Sequence, residues 1–271
     1  MIIHPEKNDI SQIKEIWKEC FGDTDKAVDC FFDTVFSYEN CYISKTDNTV
    51  KACLQMIPCN ISYSSLLYDA KYMYAVCTKP EYQSQGIMSK LITEACKEEK
   101  QKGTKAILCA PSEDSLFDYY KRFGFSDCIY SSILFLNRAE IEKNAKPCDY
   151  TVSVDSKLFN EKRNEFLNGK EYVRFTADYI SLAKGFGYKT AFNEKFYCSF
   201  FVDEDFVLVE DSFFKNEQGK NEMLYVLQNE TNALEYEIDY CADNTELIGV
   251  IKYLDNIKLT DNRIYLGLKL E

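Results

Sequence analysis

The stretch Tyr72-Met-Tyr-Ala-Val-Cys-Thr-Lys-Pro-Glu-Tyr-Gln-Ser-Gln-Gly-Ile-Met-Ser-Lys-Leu-Ile92 runs an apolar strand into an amphipathic helix through a short polar loop that ends at Gly86. A junction of this kind aims unpaired backbone N–H groups, and the positive end of a helix dipole of roughly half a charge, at whatever lies before the glycine. The chemistry it suits is the binding of a diphosphate. Val76 and Thr78 alternate across Cys77, so their backbone groups face one way, and an amide-rich ligand could add along that edge as an extra strand. Gln83, Ser84, Gln85, Gly86, Ile87, Met88 and Ser89 form the turn and the first helical residues, with Gly86 supplying conformational freedom and close approach. On this run alone, an ordinary strand–loop–helix crossover that happens to contain a glycine is an equal reading.

A second run, Ser112-Glu-Asp-Ser-Leu-Phe-Asp-Tyr-Tyr-Lys-Arg-Phe-Gly-Phe125, narrows the choice. With it the chain resembles the GNAT superfamily of acyl-CoA-dependent N-acetyltransferases. Their hallmark is an apolar strand, then x-Pro-x-Tyr-[Arg/Gln]-x-x-Gly-x-[Gly/Ala], a helix, a strand and a Phe-Tyr-x-Lys-x-Gly-Phe turn. Here the corresponding residues are Thr78-Lys-Pro80-Glu-Tyr82-Gln83-Ser-Gln-Gly86-Ile-Met88, followed by Tyr119-Tyr120-Lys-Arg122-Phe-Gly124-Phe125. The resemblance covers about residues 1–136. Ser112-Glu113 with Tyr120-Lys-Arg-Phe-Gly-Phe is similar to the Eis-type branch, whose members carry a second, degenerate GNAT-like region and a further sterol-carrier-like domain. At 271 residues the expectation is a shortened member of that branch.

The resemblance implies roles by position. Backbone groups at Val76 and Thr78 hold the pantetheine arm of acetyl-CoA and polarise the thioester carbonyl, an oxyanion-type contribution. Gln83 through Ser89 take the CoA diphosphate. Tyr120 protonates the departing thiolate, and Tyr119 is the packing aromatic beside it. A phenol of pKa about 10 is well matched to such a leaving group, and the proton transfer contributes roughly 10²–10⁴ in rate. Met88 departs from the small residue the motif prefers and is expected to narrow the pyrophosphate site; Glu113 stands where many members place an Asn that contacts CoA. The general base is not legible from pattern: Glu113, Tyr72 and Tyr74 are candidates, and Eis-type enzymes imply the chain-terminal carboxylate, which falls at Glu271. Cys77 and Cys109 read as strand packing, since no His stands in a pattern to activate either thiol.

Composition bounds the remaining classes. The twelve cysteines contain no CxxC pair and mostly occupy apolar positions, and with His4 as the single histidine they build no zinc set, so no metal is expected. The formal charge of −12 disfavours nucleic acid and anionic membranes and suits a small-molecule or peptide amine of cationic character. No apolar run is long enough to span a bilayer and the N-terminus lacks a signal-peptide layout, which predicts a cytoplasmic protein. Oligomeric state is open, and an oligomer is compatible with everything above.

The elements that must position these residues follow from periodicity. Ile10, Ile13, Ile16, Trp17 and Cys20 mark a first helix with Asp9 as its cap and Gly22 as its stop, and Val28, Phe31, Phe32, Val35 and Phe36 mark a second. Strands are predicted at about 41–44, 50–57, 60–65 and 72–76, a helix over 86–102, a strand at 106–110, a helix near 115–123 and a strand near 128–136. The polar segment 137–149 reads as a linker or connecting helix. Beyond it the spacing predicts helices at 159–168, 176–184, 217–229 and 245–255, a hairpin of 195–202 with 206–209, and strands at 235–240 and 263–270.

The two halves read as coarse copies, each with one helix joining two strands. The second copy lacks the Gln-x-x-Gly turn. The expected fold class is therefore α/β, a mixed central GNAT sheet over residues 1–137 with a degenerate GNAT-like half over 150–271. The leading function is N-acetyl transfer to a primary amine by direct attack on acetyl-CoA. A non-catalytic acyl-CoA-binding or regulatory protein of the same fold is the main alternative; a longer acyl group, or an acceptor presented on tRNA or peptide, is a third.

Overall fold

The computed structural model describes residues 2–153, 155–243, 245–255 and 263–270. From the N-terminus run β1 (Ile2–Ile3), α1 (Ile10–Phe21), α2 (Asp25–Thr34), β2 (Cys41–Thr46), β3 (Thr49–Tyr63), β4 (Leu66–Thr78), α3 (Ile87–Lys102), β5 (Ala106–Cys109), α4 (Asp114–Lys121) and β6 (Ser126–Asn137). They are followed by α5 (Arg138–Asn144), β7 (Thr151–Ser153), α6 (Ser156–Phe166), β8 (Tyr172–Arg174), α7 (Ala177–Gly185), β9 (Lys189–Phe192), β10 (Phe196–Asp203), β11 (Phe206–Phe214), α8 (Glu217–Glu230), β12 (Glu235–Tyr240) and β13 (Glu246–Tyr253).

Two units emerge. The first gathers Met1–Ile61, Leu67–Asp127 and Gly249–Thr260, the second Ser62–Leu66, Cys128–Ile248 and Asp261–Glu271. In the first, the strand order is β1-β2-β3-β4-β5, and Val250–Tyr253 of β13 add antiparallel to β5. Alternation along the strands divides its core between two faces. Tyr42, Leu54, Met56 and Met73 pack with Leu91 and Ile92 of α3 and with Tyr120 and Phe125, whereas Ile43, Cys53 and Cys77 pack with Ile13 and Ile16 of α1. β4 and β5 are parallel and are joined through α3.

The second unit repeats that plan. Its sheet runs β6-β12-β11-β10-β9-β7, with β11 and β12 parallel and joined through α8. α5 and α8 cover one face, burying Val207, Val209, Met223, Leu227 and Ile238. On the other face, Phe159 and Phe166 of α6 meet Tyr197 at ring separations of 5.9 and 5.8 Å. The chain is thus a mixed α/β protein whose second unit repeats the plan of the first.

Several local expectations change. The strands predicted at 50–57 and 60–65 are one strand, β3: Pro58 lies past the last β2 partner, Gln55, so its missing N–H removes no bond between those strands. The segment 245–255 is β13, not a helix. Its run of Ile248, Val250 and Ile251 is a buried, β-branched strand whose apolar continuity hides the period. The segment 263–270 is not a ladder strand but a mostly buried tail with bridges at Ile264 and Tyr265. Asp9 does not cap α1 with its side chain; its buried carboxylate accepts the Glu6 N–H at 3.0 Å and pairs with Lys45 at 2.6 Å.

Candidate active site

β4 carries the first local peculiarity. Ala75 sits at φ +47°, in the left-handed region that a residue with a Cβ seldom occupies, so the strand is irregular one residue before Val76. Pairing of β4 with β5 covers Ala70–Tyr72 only, and Val76 and Thr78 lie beyond it. Both are half-buried while Cys77 between them is buried, as the alternation requires. Trp17 and Phe31 brace the far side of the irregularity, with Tyr74 at 5.7 Å from Trp17 and 6.0 Å from Phe31 between ring centroids.

The loop after β4 ends in a helix start with no side-chain cap. Ser84 (φ +60°) and Gly86 (φ +73°) both adopt left-handed backbone, and Gly86 is the cap residue of α3. A Cβ built on Gly86 would meet nothing within 4 Å, so the glycine itself is not crowded by the protein. Gln83, Ser84, Gln85 and Gly86 are exposed; the Gln83 amide donates to the Thr78 carbonyl at 3.1 Å and the Gln85 amide to the Glu81 carbonyl at 3.1 Å, which ties the loop to the strand end. Ile87 and Met88 turn inward and pack on the core cluster that contains Tyr120. Met88 therefore spends its bulk on the core rather than in the loop. Ser89 Oγ lies 3.4 Å from the Tyr119 hydroxyl.

α4 brings in the tyrosines. Tyr120 is 4% exposed and is the deeper of the pair, the reverse of the expectation that Tyr119 is the packing residue; Tyr119 is half-buried and faces Ser89. The Tyr120 hydroxyl donates to the Cys109 sulfur at the end of β5, and burial first, then Cys109, push its pKa well above the usual phenol value. Val76, Ile87, Met88, Tyr119 and Tyr120 thus converge on one apolar cluster. Sequence reasoning missed Ala75, since alanine carries no signal for left-handed backbone, and it missed Cys109 as the partner of Tyr120.

The base candidates are scattered. Glu113 is exposed at the start of α4 and takes a hydrogen bond from Ser115 Oγ at 3.4 Å; Tyr72 is buried, and Tyr74 is half-buried at 5.9 Å from it. His4 is held by the Cys41 carbonyl and by Glu98. Glu271 lies outside the described residues. Beside α1 and α2 opens a cavity of about 680 Å³ lined by Phe32, Phe36 and Tyr38 with Asp33 and Glu39. Among the described residues no group of three His, Cys, Asp or Glu side chains is arranged to hold a metal, and no helix is long and apolar enough to cross a membrane.

A parallel strand pair joined through a glycine-capped helix is the local architecture of the first unit. Residues 2–128 match the family model of the acetyltransferase (GNAT) domain. Among solved structures, a conserved protein of unknown function from Enterococcus faecalis V583, described as a probable N-acyltransferase, superposes with a TM-score of 0.75 at 8% identity, over 94% of this chain and 72% of that one. Eis1 from Mycobacterium abscessus gives 0.68 at 12% identity, over 94% and 74%. A tandem GNAT protein from the clavulanic acid biosynthesis pathway gives 0.56 at 10%, over 95% and 99%. At these identities the likeness is one of fold, and it places the chain's architecture with Eis-like and tandem GNAT proteins. No curated protein matches the sequence.

Proposed function

We propose that the first unit transfers an acetyl group from acetyl-CoA to a primary amine by direct attack. The observation that carries this reading is the open, glycine-capped start of α3 beside the irregular end of β4, with Tyr120 buried in the same cluster. In this reading the amides of Gln83 through Ser89 bind the CoA diphosphate, where the helix dipole favours negative charge. The backbone at Val76 and Thr78 aligns the pantetheine arm and stabilises the oxyanion formed as the amine adds to the thioester carbonyl. The C–S bond then breaks and Tyr120 passes its proton to the leaving thiolate. Its raised pKa keeps it protonated across the physiological range, as a general acid must be.

The amine reaches its reactive, neutral state by losing a proton to a base, for which Glu113, Tyr72, Tyr74 and Glu271 are the candidates. The cavity lined by Phe32, Phe36 and Tyr38, with Asp33, Glu39 and Lys14 at its edge, suits an acceptor with an apolar body.

Calorimetric titration of acetyl-CoA tests the cofactor half of this reading. Wild type is expected to bind in the micromolar range and Gly86→Asp, which puts a carboxylate in the diphosphate space, not at all. Tyr120→Phe should bind acetyl-CoA normally and lose roughly 10²–10⁴ in turnover of an accepted amine. Absence of binding by folded wild type would overturn the enzyme reading, and binding with full turnover by Tyr120→Phe would remove Tyr120 from it.

A further inference from the structure

On the face of the second sheet that α6 covers, the cover stops half-way. β10 points Tyr197, Ser199 and Phe201 to that side; Tyr197 lies against α6, whereas Phe201 sits 5.5 Å from the Tyr188 ring and is part-exposed. From Phe201 the ladders carry a row across four strands: Phe201 opposite Leu208, Leu208 opposite Glu237 and Glu237 opposite Phe135. Val207, Val209, Tyr236 and Ile238 fill the alternate positions and pack on the side of α5 and α8, so the row faces away from those helices. Phe135, on β6, is 68% exposed.

One row further along stand Glu235, Phe206 and Asp203. Phe206 lines a cavity of about 410 Å³ with Leu234, Asp203, Glu204, Asp205 and Glu235, and Leu234 is 56% exposed. Apolar side chains scattered singly over a surface are ordinary, but a contiguous patch rimmed by polar groups marks an interaction site. Here Phe135, Leu208, Phe206 and Leu234 hold neighbouring positions. Among the described residues, none of Glu235, Glu237, Asp203, Glu204 and Asp205 is in an ion pair, whereas Glu222 and Glu230 of the same unit pair with Lys195 and Lys189.

We propose that this open half-face is a docking surface for another protein, which lays an amphipathic helix with a basic margin across Phe135, Leu208 and Phe206. Strand addition needs a sheet edge, whereas the apolar face of a sheet is covered by helices, as α6 already covers the other half of this one. The carboxylates call for Lys or Arg along the margin of that helix, where opposite charge speeds encounter and fixes register. A second copy of this chain is the poorer occupant, since it brings a further −12 of net charge to a surface that is already negative. The surface belongs to the second unit alone, and the inference does not rest on acetyl transfer by the first.

The probe is a fluorescent leucine–lysine peptide of about 18 residues whose leucines form one helical stripe. A peptide of the same composition in shuffled order keeps the charge and loses the stripe. In anisotropy titrations of the full chain at about 0.15 M salt, where long-range attraction is screened, the striped helix is expected to bind at micromolar concentration and the shuffled peptide about tenfold more weakly or worse. Phe135→Ser and Glu235→Lys should each weaken the striped helix about tenfold. Both side chains are exposed, so both variants should keep the wild-type circular dichroism and melting temperature, which separates loss of the surface from loss of the fold. Equal binding of the two peptides, or equal binding by wild type and Phe135→Ser, would reduce the effect to general attraction by an acidic protein and overturn the proposal. Absence of binding by wild type would do the same. A concentration-dependent dimer in sedimentation that Phe135→Ser abolishes would give the face to a second copy and overturn the occupant named here.

Discussion

Two strand–helix junctions in this chain have the same topology and opposite chemistry. In the first unit, β4 leads through residues 79–86 into α3, and the helix begins at a bare glycine facing open space. In the second, β11 reaches α8 through Lys215 and Asn216 only, and the Asn216 side chain accepts the Gly219 N–H at 3.0 Å. A Cβ on Gly219 would stand 2.7 Å from the Lys195 carbonyl oxygen, so that helix start is packed against its own unit. One helix starts at an exposed glycine without a side-chain cap, and the other is capped by its own unit.

The strands differ in the same sense. Past its pairing with β12, which ends at Val209, β11 buries Glu210, Asp211 and Ser212. The Ser212 N–H donates to the Tyr265 hydroxyl at 3.0 Å, Ser212 Oγ to the Asp239 carbonyl at 2.8 Å, and the Leu270 N–H reaches both Glu210 oxygens. Arg163 pairs with Asp211 and donates to the carbonyls of Val173 and Leu266 at 2.8 and 2.9 Å. Where a cofactor arm would lie in a working copy, the second half holds its own tail. The second half thus uses the end of its central strand to hold its own tail.

The sharpest way to break that comparison is to empty the second crevice. Arg163 is fully buried, and removing one partner of such a pair leaves an uncompensated charge. Arg163→Ala should lower stability by about 3–5 kcal/mol, read by denaturant unfolding, with acetyl-CoA binding retained by the folded fraction. A loss below about 1 kcal/mol would mean that the tail is not held by this ion pair. Next in size is Gly219→Ala, which forces a methyl against backbone and should cost about 1–3 kcal/mol without touching acetyl-CoA affinity.

Legibility follows the same divide. Gly86, the Pro80–Met88 turn and the Tyr120–Phe125 turn stand out in the sequence because they use residue types that ordinary packing does not require. Ala75 was unreadable because its left-handed backbone sits on a residue with no propensity for it. β13 was misread because a strand buried among neighbours loses its period of two, and its pairing with β5 spans over a hundred residues of chain that no local pattern records. Arg163 and Asp211 could not be matched from sequence, since charged residues on a helix and a strand look solvated until the fold buries them.

The smallest and most discriminating comparison sets two alanines against each other. Asn216→Ala removes a side-chain cap and should cost about 1 kcal/mol, the usual value of such a cap. Gly86→Ala removes no cap and meets no atom, but it holds an L-residue at φ +73°, which costs roughly 1–2 kcal/mol. Thermal unfolding should therefore report similar, modest losses for both proteins. Acetyl-CoA calorimetry should separate them, because the Gly86 methyl intrudes on the space before α3 whereas α8 has no such space to fill. Unchanged affinity in Gly86→Ala would mean that the open helix start does not take the diphosphate, and the contrast between the two halves would then be one of packing alone.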